Sequence, residues 1–444
     1  MPSKANSLPD ATRLVARPAA VRFRCHSAGW RGLTRALRYS YLLVALTLAP
    51  CARSSAASPD TASPEALLSF YDYPGPPTNF SVRLVETRER YLIYHITWRS
   101  WVHTDYPVNN QAVAHYYQPR RSGKVPAVVV LHSYATRQAR RERKLCGHLA
   151  DRGIACLLPH LPYHYLRTPV DQISGRLMIS GDVERTLEAV RQAVIDIRCG
   201  VDWLQQRPEV DPDRIGVVGL SLGGILTHLV MGVESRFSVG VTILGGGQVA
   251  DVLWKSPILA HVRRQLAASG IGLDELRERL RPIEPLTFAQ RNRPRQVLMI
   301  NGRYDIIVPP HAARAVWRAL GEPPIIWLHT GHYGPEFVAS QVFEMVSAYL
   351  RNKFGERRGP LPDIHEYTVK VGVLMDERFG LSATVNLSLA YLGDYGSVDL
   401  ALTTDGPLIG VSGMVRQGTE LGLGMRLGKG RGRVRPYLAF VVVL

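Results

Sequence analysis

At 444 residues with 46% hydrophobic side chains, the chain is long enough for roughly two or three folded units, each with its own core. The formal charge of +17 does not mark a nucleic-acid binder. Residues 1–40 concentrate much of it, Lys4 and seven arginines against Asp10, and the remainder is spread without aromatic residues interleaved on one basic face. Beyond residue 51 only Cys146, Cys156 and Cys199 remain, which excludes a disulfide framework and leaves room for one bridge at most.

The first element in chain order is a leader. Arg31, Arg35 and Arg38 precede an apolar run over 41–49, and Pro50, Cys51 and a small-residue stretch over 54–57 come next. A charged region, a short apolar core and small residues near a cleavage point predict a signal peptide over 1–56. Such a leader implies export to the periplasm, the outer membrane or the extracellular medium. The run is too short to span a bilayer comfortably. Leu48-Ala-Pro-Cys51 resembles a lipoprotein box, with Pro50 a poor fit before the cysteine. Residues 57–79 read as a linker.

From about residue 80 the pattern changes to leading strands, then to alternating strands and helices over 80–355. This alternation predicts a mostly parallel sheet covered by helices on both faces. Ala127-Val-Val-Val-Leu131 is a buried strand that runs into His132-Ser133-Tyr134. The stretch Leu158-Pro-His-Leu-Pro-Tyr-His164 carries two histidines, His160 and His164, at a metal-like spacing. Its prolines argue against the helix that such a pair of ligands would need, so no metal site is predicted. A long helix is expected over 181–206.

The chemistry concentrates in the segments beyond this helix. Ile215-Gly-Val-Val-Gly-Leu-Ser-Leu-Gly-Gly224 reads as strand, sharp turn and helix, with Ser221 at the apex of a G-x-S-x-G pattern. The glycines leave space for a strained turn, and the helix aims its N-terminus at any oxyanion formed beside the serine. A serine hydroxyl needs a base, and the base an orienting acid. Arg295-Gln-Val-Leu-Met-Ile-Asn-Gly-Arg-Tyr-Asp305 is a strand ending in an acid. Pro324-Ile-Ile-Trp-Leu-His-Thr-Gly-His332 is another, ending in a glycine-flanked histidine. His332 is favoured over His329, which falls within the strand, and over His311, which opens a helix over 312–320. Ser221, Asp305 and His332 would all sit at carboxyl ends of parallel strands, where open sheets form their sites. Between them, helix signals at 252–266 and 273–280 predict either a cap that shapes the pocket or a plain pair of packing helices.

These motifs resemble the α/β-hydrolase superfamily over roughly residues 80–355. The run Asp202-Trp-Leu204, Val210-Asp-Pro-Asp-Arg214 and Gly219-Leu-Ser-Leu-Gly-Gly224 is similar to its dienelactone-hydrolase and prolyl-oligopeptidase-like branch, which includes acetyl-xylan esterases. The resemblance implies a Ser221–His332–Asp305 triad and an oxyanion hole built from the backbone N–H groups of Leu222 and Tyr134. Ser133 stands where the family's His-Gly-X motif usually has glycine. The resemblance also places His132, His160, Tyr163 and His164 around the pocket mouth. Dienelactone members of the branch use cysteine as nucleophile, so the serine here points to ester chemistry. The implied activity is hydrolysis of a small-molecule or glycan ester through an acyl-enzyme, with no cofactor. The alternatives are a serine peptidase with the same triad, or an envelope-associated β-domain protein whose hydrolase domain is idle.

Residues 366–444 have a period of two. Leu381, Ala383, Val385, Leu387 and Leu389 alternate with Ser382, Thr384, Asn386 and Ser388, and turn signals such as Asp405-Gly-Pro407 divide about six antiparallel strands. The longer strands and the glycine-rich alternation resemble outer-membrane barrels, which would associate residues 366–444 with a membrane. Six strands fall short of the roughly eight that a single-chain barrel needs, which favours a soluble accessory sheet packed on the hydrolase or binding carbohydrate.

Overall fold

The computed structural model describes residues 63–293, 295–365, 368–376, 380–392, 396–416, 418–427 and 434–443. The predicted leader over 1–56, and the first residues of the predicted linker, lie outside the described residues.

Short helices α1 (Pro64–Leu68) and α2 (Pro107–Asn110) accompany three antiparallel leading strands, β1 (Ser81–Thr87), β2 (Tyr91–Arg99) and β3 (Gln111–Pro119). Alternation of strand and helix then begins: β4 (Val125–Leu131), α3 (Arg140–Asp151), β5 (Ala155–Pro159), α4 (Val183–Gln205), β6 (Val210–Leu220), α5 (Leu222–Val233) and β7 (Val239–Ile243). Helices α6 (Val249–Lys255), α7 (Ala260–Ala268), α8 (Leu273–Arg279) and α9 (Pro285–Asn292) come next. The sheet is completed by β8 (Gln296–Gly302), α10 (Pro310–Ala319), β9 (Ile325–Leu328) and α11 (Ala339–Lys353). The nine strands run in the order β1-β2-β3-β5-β4-β6-β7-β8-β9, and every pairing from β5 to β9 is parallel.

Both faces of the sheet's central strands are buried, as near-continuous apolar strands require, while the edge strand β1 is exposed. Along β4, Ala127, Val129 and Leu131 enter the core under α4 and α5, while Val128 and Val130 enter the core under α3 and α11. The long helix is anchored at its start by Asp182, whose side chain accepts the Arg185 N–H. The helix expected over 252–266 is instead two, α6 and α7. Pro257 cannot continue the hydrogen-bond ladder of α6, and the chain turns at Ser256.

The C-terminal strands are β10 (Thr368–Asp376), β11 (Leu381–Leu392), β12 (Gly396–Thr403), β13 (Gly406–Arg416), β14 (Thr419–Arg426) and β15 (Val434–Val443). They are antiparallel and close on themselves, with β15 pairing β10 from Lys370↔Val443 to Asp376↔Tyr437. The region is therefore a six-stranded barrel. Among the described residues no helix is long and apolar enough to cross a membrane.

Candidate active site

Strand β6 delivers Ser221 to the first turn of α5 in a backbone conformation, φ 54 and ψ −114, that a side-chain-bearing residue rarely adopts. The flanking glycines make this turn sterically feasible. A Cβ on Gly219 would lie 2.0 Å from the carbonyl oxygen of Gly223, and one on Gly223 would lie 2.1 Å from that of Leu131. Strands β4 and β6 are therefore drawn against the helix start, and the Leu222 N–H is left without an intrahelical partner. The Ser221 N–H itself donates to Ile243 O at 2.8 Å, which ties the turn to β7.

Three sequence-predicted residues meet here. Ser221 Oγ lies 2.8 Å from His332 Nε2, and His332 Nδ1 lies 2.7 Å from Asp305 Oδ2. An ionised carboxylate only accepts, so His332 donates from Nδ1 and Nε2 is left to receive the serine proton. Asp305 is buried at the end of β8, and its Oδ1 accepts the N–H groups of Ile307 at 2.8 Å and Val308 at 2.9 Å. His332 is mostly shielded, with a side chain 9% exposed. The competing His329 stacks on Tyr391 of the barrel, with ring centroids 4.3 Å apart. His311 stands at the start of α10.

Ser221 opens onto two spaces. One is a cleft of about 480 Å³ lined by Ser133, Tyr134, Arg137, Arg140, His332 and Tyr333. The other is an apolar cavity of about 60 Å³ lined by Leu222, Ile225, Val252, Leu253, Ile258 and Ile307 among others. Three of these six come from the segment around α6, so the insertion between α5 and β8 shapes the pocket and is not a plain packing pair. Tyr134 borders both spaces.

The sequence did not single out Glu142. Buried on α3, its Oε1 accepts both the N–H and the Oγ–H of Ser133 at 2.9 Å, fixing the loop that carries the Tyr134 N–H. Any sequence signal is weak, because an acid in the first turn of a helix usually reads as an exposed dipole partner.

The four residues expected around the pocket mouth are corrected. His132, His160, Tyr163 and His164 are buried and line neither space at Ser221. Leu161 N–H donates to His132 Nε2 at 3.0 Å, so His132 donates from Nδ1 to Ser133 O. His160 Nε2 faces His115 Nδ1 at 3.0 Å, and His164 Nδ1 donates to Pro162 O. The physical cause is Arg167, fully buried with Asp196 at 2.8 Å. It also donates to His160 O and Asn109 O, and so pulls the proline-rich loop inward. Burial holds His160 and His164 well below the ordinary imidazole range, which keeps them neutral. Among the described residues no group of three or more His, Cys, Asp or Glu is placed to hold a metal ion, and the three cysteines are buried and unpaired.

Residues 113–261, which run from β3 through Ser221 and α6, match the dienelactone hydrolase family. An uncharacterized protein of Mycobacterium tuberculosis is 26% identical over 297 residues, 60% of this chain and 65% of that protein. The chain thus spans just under two thirds of that relative's length. A Bacillus subtilis protein named as a hydrolase, YtaP, is 24% identical over 150 residues, 30% of this chain and 48% of that protein. An acetyl xylan esterase from Paenibacillus sp. R4 shares the fold, with a TM-score of 0.52 at 21% identity over 64% of this chain and 92% of that one. The parallel sheet and the strained serine turn agree with the match of residues 113–261 to the dienelactone hydrolase family and with the α/β-hydrolase fold.

Proposed function

We propose that this domain is a serine esterase that cleaves carboxylic esters with a short acyl group. The observation that carries the reading is the continuous hydrogen-bonded series from Ser221 Oγ through His332 to Asp305, opening onto a cavity at the nucleophile. Ser221 Oγ attacks the acyl carbonyl carbon as its proton passes to His332 Nε2. The tetrahedral oxyanion is held by the backbone N–H groups of Leu222 and Tyr134, each contributing about 3 kcal/mol. Collapse breaks the bond to the alcohol oxygen, which leaves with the proton from His332. Water, activated by the same imidazole, then releases the acid and restores Ser221.

Cavity size supports the acyl preference. Each water-sized position takes about 10–15 Å³, so 60 Å³ is space for an acyl chain of roughly four heavy atoms. On the other side, Arg137 and Arg140 border the open cleft and favour an oxygen-rich alcohol portion such as a sugar or other polyol.

Fluorophosphonate labelling of the full chain, with a p-nitrophenyl ester series of increasing acyl length, tests the reading. The expected result is labelling and turnover that vanish in Ser221→Ala, with rates highest for the shortest acyl groups. Unchanged turnover in that variant would overturn the mechanism, and a preference for long chains would overturn the acyl assignment.

A further inference from the structure

The barrel is inside out relative to a soluble domain. A small cluster of Leu374, Ala401, Leu408, Tyr437, Ala439 and Val441 is buried inside, but most of the large apolar members of the alternating strands face outward. On each strand one residue shows it: Val371, Leu387, Leu402, Val411, Leu423 and Phe440 all face outward and are 37–62% exposed. Among the described side chains, the charged groups of the strands lie inside (Lys370, Asp399, Glu420) or at the rim (Asp376, Arg426).

Beside that cluster the interior holds a polar network centred on Lys370 and Asp399. Lys370 Nζ lies 3.1 Å from Asp399 Oδ2 and 2.8 Å from Glu420 Oε1. Ser388 Oγ donates to Asp399 Oδ1 at 2.8 Å, and Ser412 Oγ donates to Asp399 Oδ2 at 2.7 Å. Inward glycines let so small a barrel close around its contents. A Cβ on Gly422 would lie 2.3 Å from the Tyr437 ring, and one on Gly424 would lie 2.6 Å from Leu408. The lumen is filled by side chains, which suits an anchor and not a pore.

Water is a poor solvent for such a surface, because contiguous exposed apolar area of this extent marks an interaction site. A two-fold partner would cover one side of the barrel, whereas the apolar belt occupies all six strands. Closure leaves no unpaired strand edge, which is the condition for placing β-structure in hydrocarbon. Strands of about ten residues at about 3.3 Å per residue, tilted about 40°, give a belt of roughly 25 Å, the height of the apolar band on membrane barrels. At one end the barrel meets the hydrolase through Tyr391 on His329, and at the other the rim carries Asp405 and Arg426, paired at 3.3 Å.

We propose that residues 368–443 form a bilayer-inserted anchor, with lipid acyl chains packed around the whole circumference of the barrel, that holds the hydrolase domain at the membrane surface. The assignment goes beyond the esterase reading and does not depend on it.

The test uses the full chain, purified in detergent and reconstituted into phosphatidylcholine–phosphatidylglycerol vesicles. Density-gradient flotation is run after washes in high salt and in alkaline carbonate. The expected result is that the wild type floats and resists both washes. Its counterpart with Val385→Glu, Leu402→Glu and Leu423→Glu should stay in the aqueous fraction with ester turnover unchanged. Should the glutamates unfold the barrel, Leu400→Trp supplies a second measurement, since the barrel contains no native tryptophan. Its added fluorescence should be quenched by brominated acyl chains. A wild type that remains in the aqueous fraction, is stripped by salt, or is kept in water as a dimer that the glutamates dissociate would overturn the proposal. So would an unquenched Leu400→Trp.

Discussion

Asp305 divides its two carboxylate oxygens between the backbone and His332: Oδ1 accepts from Ile307 and Val308, while Oδ2 takes the His332 Nδ1 proton at 2.7 Å. An asparagine at this position has one acceptor and one donor. The backbone N–H groups would claim the acceptor, turning the amide nitrogen toward His332 and forcing the imidazole to carry its proton on Nε2. That tautomer cannot receive the Ser221 proton. Asp305→Asn is expected to lower kcat for ester hydrolysis by about 10⁴-fold while leaving the thermal midpoint nearly unchanged. A loss below about tenfold would show that Asp305 does not set the tautomer.

Gly223→Ala tests the turn itself. Its Cβ would meet the carbonyl oxygen of Leu131 at 2.1 Å, and a backbone carbonyl in the middle of a sheet cannot swing away. Relief requires α5 to move off β4, which costs about 3 kcal/mol of stability. The same movement displaces the Leu222 N–H. The expected outcome is a thermal midpoint lower by roughly 5 °C together with loss of turnover. A variant of wild-type stability would mean that the turn is looser than the contact implies.

The serine turn was legible in the sequence because its determinants are local: a β-branched strand, two glycines with no room for Cβ, and an apolar helix within ten residues. Asp305 and His332 were legible because each follows an apolar strand, a buried one (β8) and a half-buried one (β9). The histidine loop was not. Whether His160 and His164 face solvent depends on the buried Arg167–Asp196 pair, and nothing near the loop in sequence marks that pair. In the C-terminal region, a period of two shows which residues share a face but not which face looks inward. Only closure of β15 on β10, a pairing across the whole domain, decides that Ser382, Ser388, Ser397 and Ser412 point in while Leu387, Leu402 and Leu423 point out.

His228, two helical turns beyond Ser221 on α5, is buried with neither ring nitrogen bonded within the described residues. Burial pushes its pKa from 6.5 down to about 3. The folded state therefore binds fewer protons than the unfolded one across that window. The associated stability is present above about pH 6.5 and is lost progressively as pH falls toward 3. His228→Leu removes this titration. Relative to wild type, the variant should gain about 1.4 kcal/mol for each unit of acidification within the window. Thermal midpoints of the two proteins across a falling pH series check it, and parallel curves would refute the burial argument.

Glu142 acts on the reaction through Ser133 and so is a positioning residue. Its Oε1 is the acceptor for the Ser133 N–H and hydroxyl, and the next backbone N–H in the chain is that of Tyr134. Glu142→Ala leaves a buried N–H unpaired, a penalty of about 1–3 kcal/mol that the loop escapes by shifting toward solvent. The shift removes a donor that matters most when charge develops on the substrate oxygen. kcat should fall roughly 10–100-fold while KM moves little. Glutamine retains a carbonyl oxygen at the same reach, so Glu142→Gln should restore most of the rate. A merely structural role would lower the stability of the alanine variant without separating kcat from KM, and steady-state kinetics of the two variants beside their melting curves distinguish the cases.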